Sequence, residues 1–152
     1  MLHSTYQISH HGTGYHPHKM STTTTRAFVE NLFTSIAESG FRDTFLNALS
    51  NDVVWTATGT TPLSGRYKGE KAYCEDVLGR LHEKLHSSPK PTVNRILVDG
   101  DWACVYFYTT NVPALDGDDF GMEYCWLMRV NDEEIVEVVG FYDGNKMTKL
   151  FS

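Results

Sequence analysis

The chain has 152 residues, 41% of them hydrophobic, and a formal net charge of −6. This length predicts one domain with a core that needs no disulfide or metal. The acidic balance disfavours a nucleic-acid backbone as a partner. Because no apolar run reaches the roughly 18 residues of a membrane span and the N-terminus lacks the apolar core of a signal peptide, we predict a cytoplasmic protein without a membrane partner.

Three cysteines, Cys74, Cys104 and Cys125, are odd in number and far apart in sequence. The last two lie in apolar, strand-like runs, which favours free thiols in a reducing compartment. A reactive cysteine is the alternative.

The first 25 residues differ in composition from the rest of the chain. They hold five of the seven histidines and end in four threonines. Such a segment has little apolar surface to bury, so we predict a flexible tail over residues 1–25 and a single domain over residues 26–152. A metal site built from these histidines is the alternative, but no carboxylate or thiolate accompanies them at ligand spacing, and we predict no metal.

Apolar residues recur at helical spacing in three segments. The first follows Thr25, a candidate N-cap, and ends at Gly40, and a shorter helix is predicted over residues 41–49. The third and longest is predicted over residues 70–85. His82 lies beside its apolar stripe and could face a pocket, or it is a solvent-facing or hydrogen-bonded structural histidine.

Alternating and apolar runs predict five strands. The first covers residues 52–58 and leads into a turn-rich loop over residues 62–69. The segment from Asn111 to Gly121 is long enough to form a rim or lid. The other four strands are predicted over residues 92–98, 102–110, 122–130 and 135–142, the last two as a long hairpin.

This order of elements resembles the SnoaL-like branch of the nuclear transport factor 2 fold, which includes polyketide cyclases and ketosteroid isomerase. The resemblance implies an α+β fold with a curved, mostly antiparallel sheet wrapped around helices in a cone. It also implies a homodimer, since members commonly bury the outer sheet face against a second copy, and an activity without a cofactor. The residues that carry it are Trp55, Gly59, the loop 62–69, Asp99-Gly100-Asp101, Glu123-Tyr124-Cys125, Ile135-Val136-Glu137 and Phe141-Tyr142-Asp143.

The catalytic positions of ketosteroid isomerase do not carry over. Counted from Gly59 and Gly65, its aspartate base falls on Thr56, and its helix-one tyrosine falls near Leu32. Its acidic oxyanion-hole residue falls on Trp126. None of these three side chains can replace the original group near neutral pH, so the resemblance does not imply that isomerase's mechanism.

Aromatic and hydroxyl groups are the remaining candidates for a site. Alternation places Tyr106 and Tyr108 on one face of their strand, and Tyr124 and Trp126 together on one face of the next. Phenols can donate hydrogen bonds to a developing oxyanion, and flat rings can hold a polycyclic substrate. The alternative is that these aromatics fill the core. We predict Thr56, Tyr106, Tyr108 and Tyr124 as catalytic residues, and Trp126, Trp55 and His82 as substrate-binding residues.

These residues favour a cofactor-independent isomerase or cyclase that acts on a hydrophobic, carbonyl-bearing intermediate of secondary metabolism. A non-catalytic module that binds a small molecule or a protein in the same place is the alternative. The nearest carboxylates leave the choice open. Glu123 is expected to point away from Tyr124, whereas the pattern does not place Glu137 and Asp143.

Overall fold

The computed structural model describes residues 20–152. Most of the predicted tail lies outside these residues. The helices are α1 (Thr22–Ser39), α2 (Asp43–Asn47), α3 (Glu70–Tyr73), α4 (Gly79–His82) and α5 (Gly144–Leu150), with a π-helical segment, Cys74–Leu78, between α3 and α4. The strands are β1 (Leu49–Ala57), β2 (Gly65–Lys68), β3 (Thr92–Asp99), β4 (Trp102–Tyr108), β5 (Glu123–Asn131) and β6 (Glu134–Phe141).

Helix α1 begins earlier than the sequence predicted. Ser21 is the N-cap, and its hydroxyl accepts a hydrogen bond from the Thr24 backbone N–H at 3.1 Å. Thr25, predicted as the cap, is fully buried inside the helix. Cap-forming residues occupy every position from Ser21 to Thr25, so composition alone could not choose among them. Helix α1 thus includes Thr22 to Thr25, the last four residues of the predicted tail, and the division into a tail and one domain remains a prediction.

The six strands form one mixed sheet in the order β2-β1-β6-β5-β4-β3. The predicted hairpin is confirmed, since β5 and β6 pair antiparallel through a turn in which Asp132 and Glu133 adopt positive φ angles of 49° and 60°. Strand β1 runs parallel to β6, and the other pairs are antiparallel. The predicted α+β fold with a mostly antiparallel sheet is confirmed.

Three local features differ from the sequence prediction. The segment predicted as a loop over residues 62–69 contains β2, which pairs with β1. The third helix contains a π-helical turn at which Gly79 donates to the Cys74 carbonyl, and a Cβ at Gly79 would lie 2.8 Å from that oxygen. Helix α5 was not predicted, because it is seven residues long and holds only two buried apolar side chains.

Helix α2 and the residues that connect it to α1 pack on the inner face of the sheet through aromatic rings. Trp126 on β5 lies 5.3 Å from the Phe41 ring and 5.7 Å from the Phe45 ring, centroid to centroid. Phe107 stands opposite Tyr124 in the register of β4 and β5, and the two rings stack at 4.7 Å. The inner face is thus the core face. No helix within residues 20–152 has the length and hydropathy needed to cross a bilayer.

Candidate active site

An apolar pocket lies at one end of the core, between the inner sheet face and the helical segment from α3 to α4. Its cavity volume is about 50 Å³, room for a few water molecules. A ligand larger than this, including one with a single six-membered ring, requires the walls to move outward. The walls include Tyr124, Trp126 and Tyr142 from the sheet side, Tyr73, Leu78 and His82 from the helical side, Phe120 from the loop before β5, and Met147 from α5.

Tyr142 follows β6 and brings a hydroxyl group to this pocket. The indole Nε1 of Trp55 donates a hydrogen bond to that hydroxyl at 3.1 Å. Trp55 is itself fully buried, and its ring stacks on Tyr73 at 4.1 Å. Since the Tyr142 oxygen accepts from Trp55, its own proton remains available to a ligand.

Trp126 presents a second donor. Its Nε1 is buried and makes no hydrogen bond, although it lies near enough to Tyr142 to lower the pKa of that phenol. A buried donor without a partner costs about 1–3 kcal/mol. A ligand oxygen placed between Trp126 and Tyr142 would satisfy both groups.

The tyrosines around the pocket stay protonated at neutral pH. Burial raises the pKa of Tyr124 to about 12, with a hydrogen bond to Thr109 acting in the opposite direction. Burial also raises the pKa values of Tyr142 and Tyr73 well above the ordinary tyrosine range. These phenols are therefore hydrogen-bond donors rather than bases.

His82 is the histidine that lines the pocket. Desolvation, and then the positive charge of Arg42, lowers its pKa below the ordinary value of about 6.5. Its Nε2 is buried without a hydrogen-bond partner. The imidazole is thus neutral at pH 7 and can accept a proton.

Gly140 allows Tyr142 to reach its position. A Cβ at Gly140 would overlap the Tyr142 hydroxyl and lie 2.6 Å from its Cζ. A glycine inside a strand often marks such a close approach. This was a signal in the sequence that could have directed attention to Tyr142, which sequence reasoning missed as a site residue.

Replacing Gly140 with Ala is expected to lower the free energy of unfolding by about 1–3 kcal/mol, because the new methyl group overpacks against Tyr142. Urea unfolding measures this loss. The same change in a Tyr142→Ala background is the control, and there most of the loss should disappear. A Gly140→Ala variant as stable as the natural chain would contradict this role.

The structure brings together only part of the predicted site. Tyr124, Trp126 and His82 line the pocket, and Trp55 lies behind it as the partner of Tyr142. The catalytic and binding roles of these residues remain predictions.

The expected pocket placement of Tyr106 and Tyr108 was wrong. Tyr106 pairs with Cys125 in the register, whereas Phe107 pairs with Tyr124, so the two tyrosines of β4 lie on the outer face of the sheet. Tyr106 is 39% exposed, and its hydroxyl donates to the Glu123 carboxylate. Alternation separates two faces but does not tell which of them is buried when both carry aromatic rings.

Thr56 also points away from the pocket. On β1 the neighbouring Ala57 lines the pocket instead. Glu123 is exposed, as expected, and Asp143 caps α5 by accepting from the backbone N–H groups of Asn145 and Lys146. Among residues 20–152 no carboxylate lines the pocket.

The loop before β5 forms part of the pocket rim, as predicted. Phe120 of this loop and Met147 of α5 both line the pocket. Lys146 Nζ donates to the carbonyl oxygens of Gly121 and, at 3.4 Å, Asp119. These contacts connect α5 to the loop at the pocket wall. A role of the loop as a lid remains a prediction.

A six-stranded mixed sheet that encloses a pocket against helices defines an NTF2-like α+β protein. Residues 25–138 match the family model of the SnoaL-like domain, and the chain belongs to that family. A search of curated proteins gave no significant match.

Solved structures with this fold include proteins that hold small organic molecules. TerC, co-crystallised with polyporic acid, is 17% identical with a TM-score of 0.66, over 83% of this chain and 96% of TerC. A protein of ketosteroid isomerase-like fold from Catenulispora acidiphila, in complex with trimethylamine, is 11% identical with a TM-score of 0.63, over 78% and 88% of the two chains. A protein assigned as a SnoaL-like polyketide cyclase from Jannaschia sp. is 19% identical with a TM-score of 0.63, over 87% and 92%. These likenesses show the shared fold alone.

Proposed function

We propose that the protein is a cofactor-independent enzyme that removes a proton from the carbon next to a carbonyl group in a small hydrophobic substrate. That step is shared by isomerisation of an unsaturated ketone and by an aldol-type cyclisation, the two reactions expected for an intermediate of secondary metabolism. The observation that supports it is a neutral His82 with an unpartnered Nε2 on the same apolar pocket as the unpartnered Nε1 of Trp126.

His82 acts as the base in this proposal. Its Nε2 takes the proton from the α carbon, and the electron pair moves onto the carbonyl oxygen to give an enolate. In an isomerisation the imidazolium returns the proton to a more distant carbon, which restores neutral His82. The lowered pKa keeps the starting imidazole unprotonated at pH 7.

The donors opposite His82 stabilise the enolate oxygen. Tyr142 donates its hydroxyl proton and Trp126 donates its indole N–H, both in a pocket with mostly apolar walls. Donors fixed before the reaction are worth most where water is excluded. Trp55 holds the Tyr142 oxygen in place and is a positioning residue.

The competing proposal is a binding module with no catalysis. It is favoured by the lack of a carboxylate lining the pocket within residues 20–152. The ligands held by two of the structural neighbours, polyporic acid and trimethylamine, support a small organic molecule as the occupant under either proposal.

Conversion of 3-cyclohexenone to its conjugated isomer separates the two proposals. The conjugated ketone absorbs in the ultraviolet, so turnover can be followed directly. An enzyme of the proposed type accelerates the conversion above the buffer rate, and saturating phenol, a mimic of the enolate, inhibits it. A chain that binds phenol but leaves the conversion at the buffer rate is a binding module.

A homodimer through the outer sheet face is part of the proposal. This face carries four exposed apolar side chains, Leu97, Tyr106, Leu127 and Phe141, with exposed fractions of 58%, 39%, 37% and 49%. An apolar patch of this kind on a sheet is typical of an interface between proteins.

Light scattering should therefore give about twice the chain mass of 17.2 kDa. Leu127→Glu should shift the mass to that of the single chain, because a carboxylate would be buried at the centre of the interface. Leu115→Glu is the matched control, since Leu115 is 58% exposed in the loop before β5, and its variant should stay dimeric. A single-chain mass for the natural protein at working concentration would reject the dimer.

A further inference from the structure

The helical wall of the pocket contains an irregular turn. The π-helical turn Cys74–Leu78 ends where the backbone N–H of Gly79 donates to the Cys74 carbonyl, five residues back. An α-helix bonds four residues back, so this turn holds one residue more than the turns beside it. Residues on both sides of the irregular turn line the pocket: Tyr73, Val77, Leu78, Leu81, His82 and Leu85.

The extra residue decides which way His82 points. Successive residues of an α-helix are about 100° apart around its axis. His82 is the ninth residue after Tyr73, so an uninterrupted α-helix would place the two side chains about 180° apart. The π-helical turn takes up one residue and reduces this angle to about 80°, so that both side chains lie on the pocket side.

The two parts of this helical segment are held differently. Tyr73, Val77 and Leu78 are buried, which anchors the first part in the core. In α4, by contrast, all four residues from Gly79 to His82 are at least partly exposed. The direction of His82 therefore depends on the turn that leads into α4 rather than on burial of α4 itself.

Gly79 leaves room for the π-helical turn. A Cβ at this position would lie 2.8 Å from the Cys74 oxygen, closer than real Cβ atoms approach a neighbour. Since that oxygen belongs to the backbone, a larger residue has to displace the turn itself. Gly79 has ordinary helical angles, φ −61° and ψ −44°, so it is the missing side chain that matters here.

We propose that the π-helical turn directs His82 into the pocket and that Gly79, which makes room for the turn, is a positioning residue for the proton transfer. The inference rests on the proposed function for the role of His82 as the base. The direction of the imidazole follows from the helix geometry alone. π-Helical turns inside α-helices frequently occur at functional sites.

Deletion of Asp76 tests the geometry. Asp76 is exposed, and its removal leaves both members of the Lys71–Glu75 ion pair in place. The shortened segment can form a regular α-helix in which His82 is again about 80° from Tyr73. We therefore expect the deletion variant to fold with His82 in the pocket. Asp76→Ala is the control of natural length and should keep the π-helical turn.

Gly79→Ala should have opposite effects in the two backgrounds. In the natural chain the new Cβ strains the π-helical turn, and the melting temperature should fall by about 2 °C or more. In the deletion variant position 79 lies in a regular α-helix, where alanine is favoured over glycine, and the melting temperature should rise. A similar fall in both backgrounds would overturn the proposal.

The position of His82 can be read from its titration by nuclear magnetic resonance, with its signal identified by its loss in His82→Gln. Desolvation, and then Arg42, lowers the pKa of His82, and both effects depend on where the imidazole lies. The pKa should stay low in the deletion variant and in Asp76→Ala, and should rise toward about 6.5 in Gly79→Ala. An ordinary pKa in the deletion variant, or an unchanged pKa in Gly79→Ala, would overturn the proposal.

A loss of folding in Gly79→Ala does not remove the test. The deletion variant and the double variant, Gly79→Ala with Asp76 deleted, should then both fold and both keep the low pKa of His82. A double variant that stays unfolded, or in which the pKa of His82 is ordinary, would overturn the proposal.

Turnover of 3-cyclohexenone separates this inference from the proposed function. Gly79→Ala should lower kcat by about 10²-fold, because a small displacement of the base is costly, and its acid limb should move to higher pH. The double variant should recover the rate. A natural rate and pH profile in a folded Gly79→Ala variant would overturn the positioning role. The expected titrations without turnover in any chain would support the helix geometry and reject the proposed function.

Discussion

Replacing His82 with Gln is expected to lower kcat for 3-cyclohexenone isomerisation by about 10²- to 10⁴-fold, the usual contribution of a general base. Glutamine keeps a polar group of similar reach but cannot take up a proton at neutral pH. His82 is also the pocket group with a lowered pKa and an unpartnered nitrogen. Steady-state kinetics with the ultraviolet assay gives the size of the loss.

The pH profile distinguishes a base from a group that only supports the wall. In the natural chain the rate should fall as the pH drops through the pKa of His82, which lies below about 6.5, because protonation removes the base. On the alkaline side the rate should stay level until the tyrosines ionise, with the pKa of Tyr124 at about 12. His82→Gln should lose the acid limb, while His86→Gln, at an exposed histidine nearby, should keep the full profile and rate. An acid limb that survives in His82→Gln would contradict the assignment.

Replacing Tyr142 with Phe is expected to lower kcat by about 10²- to 10³-fold while changing KM far less. The variant loses the hydroxyl that donates to the enolate oxygen, and this bond strengthens as negative charge develops. It also leaves the buried Trp55 Nε1 without its acceptor, so melting temperatures must be compared to separate a folding defect from lost catalysis.

The outer-face tyrosines provide matched controls for this experiment. Tyr106→Phe and Tyr108→Phe remove the same atom on the other side of the sheet and should keep the natural rate. Tyr124→Phe changes a pocket phenol whose ring centroid lies 5.8 Å from that of Tyr142. It should lower kcat less than Tyr142→Phe does, because the donors Trp126 and Tyr142 remain. A larger loss of kcat in Tyr106→Phe than in Tyr142→Phe would show that the active site lies on the outer face of the sheet.

The fold was largely predictable from the sequence because its signals are local and repeated. The alternation in β5 and β6, with the turn between them, predicted the hairpin. The order of elements indicated the family resemblance, which the domain match confirms. Strand β2 and helix α5 were missed because each is short and depends on tertiary contacts, such as the pairing of β2 with β1.

The candidate site was less predictable. Period-two alternation assigned Tyr124 and Trp126 to one face, but the choice of inner face for Tyr106 depended on the register between β4 and β5. The position of Tyr142 in the site depends on its hydrogen bond with Trp55 and on the absence of a Cβ at Gly140. The hydrogen bond with Trp55 is not visible in a pattern of single residues, whereas the glycine inside the strand is a sequence signal of the close approach.

Exchange of α protons in D₂O tests the central claim most directly, because it follows proton removal whatever the later product. Nuclear magnetic resonance of cyclohexenone incubated with the full chain should show deuterium entering beside the carbonyl faster than in buffer. Exchange should fall to the buffer rate in His82→Gln and stay at the natural rate in His86→Gln. Exchange no faster than in buffer, across a panel of small ketones that bind the pocket, would contradict the account.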